Sequence, residues 1–509
     1  MNLLYKYNWL WLVFLFFFSM CDLASAGNYK KQQKDVSVFV EKKASHELHK
    51  GTFGVHGALL WSSARYGSKK LVKIFQDLGF YSVRFPGGTD ANYYLWRNST
   101  YGCKNEAGKT LKAKKRISQF NRSFVNRGED YTTKNFLSFI EDSSANFTLV
   151  INILCDSVED AVGWLEYFHK NNIDVNKVEL GNELYYEEYS SVFPEPLDYL
   201  RRAESFSKSI KRFSPNIKIG MVVSSSSYRS KIKLELHSKL NKRHKRGVEF
   251  DKLVAASKFA DAMVIHLYSD FGVTLFEKNS SLFAKDEGYK RAISHFDTRA
   301  PYVFNYLSSL ALDKELWVTE WGLAFYGDLR KYENEFKHSF LHGLFFSNVL
   351  IQLLKNDQIT NANYHNFTNF LRKKNLVNLP AAYEVVKFLK EPILNSKFVA
   401  DIEISGNSNY ISSHPYFEGD GEVMVGIFLH SEQNAYLILI NKFDDKFILN
   451  NVGFEGRENF KVSSLTVLSL SKDPAININD FRRIEENVDR SRYYIPPYSM
   501  SKIEFELAQ

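Results

Sequence analysis

Apolar residues in this chain gather in short runs, and the stretches between the runs repeat their apolar positions every three to four residues. The runs are Thr52–Trp61, Tyr81–Phe85, Thr148–Cys155, Val178–Leu180, Lys218–Ser224, Asp261–Tyr268, Leu316–Thr319 and a weaker one at Asn361–Asn366. Near-continuous apolar runs of this length are expected of strands buried on both faces, as in a parallel sheet. After the first run, Leu71, Ile74, Phe75 and Leu78 share one helical face that Gly79 closes, and a second helix is predicted over Val158–Lys170. Eight strands alternating with helices predict a (β/α)8 barrel, an α/β fold, with a large insertion over Thr89–Tyr131 on its catalytic face. A doubly wound sheet is the competing fold, but the chain has no glycine-rich phosphate loop.

The pattern changes after Leu394. Alternating strands at Val423–Leu429, Ala435–Ile440, Val462–Leu468 and Lys502–Leu507, punctuated by Asn, Gly, Asp and Pro, predict an antiparallel β-sandwich. The strand-like Asp35–Val40 precedes the barrel and is expected to cross over into that sandwich. The domain division is therefore a barrel over residues 46–394 and a sandwich over 395–509 completed by residues 35–43. At the start, Lys6, an apolar run from Trp9 to Met20 and Ala24-Ser25-Ala26 have the form of an export signal over residues 1–26. The run is too short to favour a spanning helix. A secreted, periplasmic or extracellular protein is expected, without stable membrane insertion once the signal is cleaved.

Composition adds a large aromatic core: 42 Phe and 29 Tyr in 509 residues. Of the three cysteines, Cys21 leaves with the signal, and Cys103 and Cys155 can either pair or stay as free thiols. Both are expected on the catalytic face of neighbouring strands, so pairing is the expectation. No Cys or His spacing suggests a zinc site, and no metal or cofactor is expected. The net charge of +8 comes largely from two runs, Lys104–Arg127 and Arg229–Arg246. They read as solvated faces or as a surface that attracts an acidic polymer. The chain has no recognisable nucleic-acid module, so nucleic acid is not an expected partner. Glycosylation sequons occur at Asn98, Asn121, Asn146, Asn279 and Asn366.

Chemistry in a parallel barrel sits at the C-terminal strand ends. Arg84, Asn182, Glu183, His266, Tyr268, Glu320 and His365 all fall there, with Trp61 and Trp321 as aromatic neighbours. Two strand-end carboxylates, Glu183 and Glu320, flanked by rings that can face sugars, are the groups that glycoside hydrolysis needs. Each residue also has a plainer role open to it. Arg84 could pair with a structural acid, His266 could be a satisfied core histidine, Tyr268 and Trp321 could be packing, and Asn182 could cap a helix.

Four motifs occur in the right order: Val83-Arg84-Phe85-Pro86-Gly87-Gly88-Thr89, Leu180-Gly181-Asn182-Glu183, Ile265-His266-Leu267-Tyr268 and Thr319-Glu320-Trp321-Gly322. Together they resemble the retaining (β/α)8-barrel glycoside hydrolases of the α-L-arabinofuranosidase and heparanase (β-glucuronidase) type. The Arg-Phe-Pro-Gly-Gly run leans to the first group, and Gly-Gly-Thr with the basic runs leans to the second. The resemblance implies a secreted enzyme acting on a poly- or oligosaccharide, with Glu183 as acid/base and Glu320 as nucleophile. It implies that Asn182 binds the hydroxyl beside the reacting carbon, that Arg84 and Tyr268 hold Glu320, and that His266, Trp321 and Trp61 line the substrate site. Tyr185 departs from the family pattern, which often has Pro there. A non-catalytic glycan-binding protein on the same fold, and a basic surface-adhesion or polyanion-binding protein whose barrel is only a scaffold, are the other readings.

Overall fold

The computed structural model describes residues 33–507 except 42–44, 58, 60–63, 128–130, 225–237, 272–284, 326–332, 366, 372–379, 412–419, 456–459, 472–480 and 487–491. The export signal, Trp61 and the sequons at Asn279 and Asn366 lie outside the described residues. Among the described residues, no helix is long and apolar enough to cross a membrane.

Eight parallel strands close a barrel in sequence order: Gly54–His56, Ser82–Phe85, Asn146–Ile151, Lys177–Leu180, Lys218–Val222, Ala262–Phe271, Glu315–Phe325 and Ile359–Tyr364. The weak eighth run is a true strand. Its inward side chains are Asn361 and Asn363, and the barrel interior satisfies them: Asn361 donates to Thr148 Oγ1 at 3.1 Å and Asn363 to Ser82 Oγ at 3.3 Å. A hydrogen-bonded polar layer can be buried without the usual penalty, which is why this strand lacks an apolar signature. The helix Lys69–Leu78 buries Leu71, Ile74, Phe75 and Leu78 and ends on Gly79 at φ 75°. The helix Phe340–Leu354 is buried on nearly every side because it lies between the barrel strand Ile359–Tyr364 and the sandwich strands Met424–His430 and Ala435–Asn441.

The C-terminal part packs a seven-stranded sheet near a four-stranded one. Lys34–Val40 joins the smaller sheet, antiparallel to Ile402–Ser405 and parallel to Phe447–Phe454, with Val36, Val38 and Val40 buried. His46–Glu47, placed by the sequence at the start of the barrel, instead pairs with Phe398–Val399 in the larger sheet. A two-residue strand carries too little pattern to read. Asp297, on a barrel helix, ties the two parts together by accepting from Lys442 Nζ at 2.6 Å, Tyr410 Oη at 2.7 Å and Asn348 Nδ2 at 3.0 Å.

The insertion is ordered into a hairpin, Tyr94–Leu95 with Thr100–Tyr101, and the helices Glu106–Lys109 and Leu111–Arg127. The amide of Asn121 is engaged with both backbone groups of Tyr101, at 3.0 and 2.8 Å. That sequon is therefore spent on the fold, whereas Asn98 and Asn146 are exposed. A Cys103–Cys155 disulfide, with Cα atoms 4.8 Å apart, fastens the insertion to the loop after the third barrel strand. It closes a loop with a sequence separation of 52. Loop-closure entropy for that length is worth about 4 kcal/mol. Replacing both cysteines by serine is expected to lower the unfolding free energy by about 2–4 kcal/mol in a denaturant titration. An unchanged midpoint would mean that the bridge does not form.

Candidate active site

The fourth barrel strand ends at Leu180, and the chain turns sharply. Gly181 has φ 81°, a left-handed conformation that glycine adopts without strain, and a Cβ there would also press on Leu184 Cδ1 at 2.3 Å. Glu183 also has a left-handed backbone, φ 51°, which a non-glycine residue adopts at a cost of order 1 kcal/mol. The turn is pinned by Asn92 from the insertion. Its side-chain amide accepts from Asn182 N at 2.8 Å and donates to Asn182 O at 2.7 Å.

Arg84, fully buried at the end of the second strand, organises the site. Its Nε and Nη2 donate to the two oxygens of Glu179 at 2.8 and 2.5 Å. Nη2 also reaches Asn182 Oδ1 at 2.9 Å, and Nη1 reaches Glu320 Oε1 at 2.8 Å. Both readings of Arg84 therefore hold at once: it pairs with a structural acid, and it orients Glu320. Burial pushes His56 down to about 3 despite the nearby Glu320. A neutral His56 accepts from Arg84 Nη1 through Nε2, at 2.8 Å.

Glu320 ends the inward-facing part of the seventh strand. Its second oxygen, Oε2, accepts from Tyr268 Oη at 2.7 Å. Burial alone would raise its pKa, but His266 first, then the nearby His56, and then Arg84 outweigh burial and hold it well below the ordinary carboxylate range. His266 stands between the two candidate carboxylates, with Nδ1 at 3.0 Å from Glu183 Oε1 and 3.5 Å from Glu320 Oε2. Its burial works against protonation, but Glu320 and Glu183 together raise its pKa. Tyr185, the departure from the family pattern, donates to Glu183 Oε1 at 3.4 Å. One oxygen of Glu183, one of Glu320 and a nitrogen of His266 all lie within 4.8 Å of one another.

The structure thus brings Arg84, Asn182, Glu183, His266, Tyr268 and Glu320 together, with His365 edge-on to His56 at 4.7 Å. Trp321 is a correction. It is fully buried between Phe346, at 5.0 Å, and Tyr364, at 4.9 Å, away from the carboxylates. Successive residues of a strand face opposite ways. Glu320 aligns with inward His266, so Trp321 aligns with outward Leu267 and packs behind the barrel wall. His56, Asn92 and Glu179 were not singled out from sequence. Glu179 had a signal, since an acid in the middle of an apolar strand needs a buried cation. Asn92 had none, because its partner is a turn far along the chain.

Glu183, His266 and Glu320, or His56, Glu320 and His365, are donor sets of the kind a divalent ion accepts. In this geometry both Glu320 oxygens are already engaged by Arg84 and Tyr268. A separate cavity of about 640 Å³ opens at the opposite end of the barrel, beside the sandwich, with Ser82, Asn146, Lys177, Lys218 and Glu315 among its lining. Two carboxylates, Glu47 and Glu315, also line it, but it lies at the strand starts rather than the strand ends, where barrel chemistry sits.

No protein-family model and no curated relative matches the sequence. Solved structures do match over nearly the whole chain. A family 51 α-L-arabinofuranosidase from Bifidobacterium longum aligns over 93% of this chain and 100% of its own, with TM-score 0.67 at 13% identity. The α-L-arabinofuranosidase of Thermotoga maritima, solved with arabinose, has TM-score 0.62 at 15% identity over the same shares. A Paenibacillus polymyxa xyloglucanase of family 44 has TM-score 0.59 at 12% identity, again over 93% and 100%. The chain therefore has the fold these glycoside hydrolases share: a closed (β/α)8 barrel carrying a C-terminal β-sandwich.

Proposed function

We propose that this protein is a retaining glycoside hydrolase that cleaves O-glycosidic bonds by double displacement. The observation that carries the proposal is the Glu183–Glu320 pair, whose nearest carboxylate oxygens lie within 4.8 Å. Direct attack on the anomeric carbon calls for carboxyl groups about 5–5.5 Å apart, and a water-mediated single displacement calls for about 6.5–9.5 Å. Glu320, kept charged by His266 and Arg84 and oriented by Tyr268, attacks the anomeric carbon. Glu183 donates a proton to the departing oxygen. In the second step Glu183 takes a proton from water, which attacks the glycosyl ester and releases Glu320. His266 Nδ1 lies 3.0 Å from Glu183 Oε1, so the imidazole is the hydrogen-bond partner that orients the acid/base in both steps. Asn182 Oδ1 is spent on Arg84, so its Nδ2 is the donor left for the hydroxyl beside the anomeric carbon. Residues 1–26 would direct export.

The favoured substrate is an arabinofuranoside, supported by the fold shared with arabinofuranosidases and by Arg84-Phe85-Pro86-Gly87-Gly88. An acidic polysaccharide is the second reading. Lys114, Lys115 and Arg122 remain exposed for it, whereas Lys112 and Arg116 are both committed to Glu188. A panel of aryl arabinofuranosides, xylosides, glucosides and glucuronides, run with wild type and Glu320→Gln side by side, tests the proposal. Hydrolysis by wild type alone supports it. No hydrolysis by wild type across the panel favours the glycan-binding reading.

The pH dependence follows from the sign of the Glu320 shift. A carboxylate whose pKa is depressed in the folded state stays ionised until the pH falls through that depressed value. The ordinary value is 4.5. The acid limb of kcat/KM is therefore expected below pH 4.5, and the stability Glu320 contributes should be present above that pH and lost beneath it. An acid limb near neutrality would contradict this account of the nucleophile.

A further inference from the structure

The two basic runs have an unexpected destination. Arg246, on the helix Ser238–Ala256, donates from Nε to Tyr185 O at 3.2 Å, from Nη2 to Phe193 O at 2.7 Å and from Nη1 to Pro194 O at 2.7 Å. One guanidinium thus ties together both ends of the segment that follows Glu183. Its own seat is rigid. The guanidinium lies 5.4 Å over the ring of Phe250, and Phe250 packs at 5.1 Å against Tyr199. Tyr199 Oη in turn donates to Leu180 O, at the end of the strand that carries the site, at 3.1 Å. On the other flank, Arg116 from the insertion helix Leu111–Arg127 pairs with Glu188 and donates to Tyr189 Oη at 3.3 Å. Tyr189 Oη accepts from Asn92 Nδ2 at 3.2 Å, and Asn92 is the residue that pins the backbone of Asn182.

We propose that Arg246 and Arg116 are positioning residues for Glu183, clamping the segment 184–195 from opposite sides so that the acid/base is held in its left-handed turn. This inference rests on the hydrolase reading above for its catalytic consequence, though not for the clamp itself. The physical need is clear. Glu183 occupies a backbone conformation that costs energy and that relaxes unless its surroundings over-determine it. Tyr185, whose hydroxyl reaches Glu183 Oε1, is the first residue Arg246 holds. The planar fork of arginine can serve three carbonyls at once; a lysine ammonium is a compact point charge that cannot span them. The two runs are therefore not only a polymer-facing surface: Arg116 and Arg246 belong to the fold of the acid/base loop.

The test uses the full mature chain with Arg246→Met, Arg246→Lys and Arg116→Gln. Hydrogen exchange of amides in 184–195 should speed up in Arg246→Met by about tenfold or more, as the local opening free energy falls. Catalytically, a small misplacement of the acid/base should cost about 10–100-fold in kcat on a substrate with a poor leaving group. An activated aryl glycoside, which needs little protonation, should change less than about threefold. Arg246→Lys should not restore the ratio. In a Glu183→Ala background, Arg246→Met should cause no further loss, because the clamp acts through Glu183. Equal losses on both substrates, or a full additional loss in the Glu183→Ala background, would overturn the proposal and leave Arg246 a general stabiliser. Unchanged exchange in 184–195 would overturn it outright. A wild type that hydrolyses nothing would defeat the hydrolase reading instead, and the exchange result would still decide the clamp.

Discussion

Glu320→Gln is expected to abolish turnover, by about 10⁴-fold or more, while leaving the protein folded. The amide keeps the volume of the carboxylate, and its oxygen can still accept from Arg84 Nη1. What is lost is the charge that, in the proposed double displacement, attacks the anomeric carbon. Oε2 now accepts from Tyr268, and in the variant the amide nitrogen at that place can only donate. The substitution also removes the carboxylate that does most to raise His266. The imidazole should therefore titrate lower in the variant, which an NMR titration of His266 would read. The elevated pKa of His266 stabilises the wild-type fold below the ordinary histidine value and loses that effect as pH rises through the raised one. The stability difference between wild type and variant from this source should accordingly be larger in acid and fade toward alkaline pH. Near-normal turnover by Glu320→Gln would refute the assignment of the nucleophile.

Glu183→Ala should show the opposite selectivity. The first chemical step with a poor leaving group needs a proton, so kcat should fall about 10²–10⁴-fold. An aryl glycoside with an acidic phenol departs unaided, and its glycosyl-enzyme should form at a rate close to wild type. Hydrolysis of that intermediate then limits, because no base activates water. Azide needs no base and fits the space that the carboxylate vacates. It should accelerate turnover and give a glycosyl azide of retained configuration. Two substrates losing activity equally, with no azide effect, would place Glu183 outside the acid/base role.

The barrel and the strand-end set were legible in sequence because both rest on local pattern. Buried parallel strands are apolar on both faces, and a polar residue at the end of such a strand stands out, as Arg84, His266 and Glu320 do. Where parity mattered by one residue, the reading failed. Trp321 sits beside Glu320 in the chain but faces Phe346 on the other side of the strand. Polarity inside the barrel weakened the signal of the eighth strand without hiding it, since Asn361 and Asn363 satisfy each other and their neighbours rather than excluding water. Long-range partnerships left no local trace. Nothing around Asn92 announces that it pins Asn182, and nothing in the basic runs announces that Arg116 and Arg246 converge on the segment after Glu183. Those are decided by which loops the barrel brings together at its rim.

The central claim is that Glu320 attacks the anomeric carbon directly while Glu183, across the bound sugar, serves the departing oxygen and then the incoming water. The most direct measurement is the configuration of the first-formed sugar, followed by proton NMR from mixing, before mutarotation scrambles it, on whichever aryl glycoside the wild type cleaves. Double displacement predicts that the initial anomer matches the substrate, with the other anomer growing in only at the rate of spontaneous mutarotation. An initial product of inverted configuration would mean that water attacks directly, that the two carboxylates stand further apart during reaction, and that Glu320 is a base rather than a nucleophile.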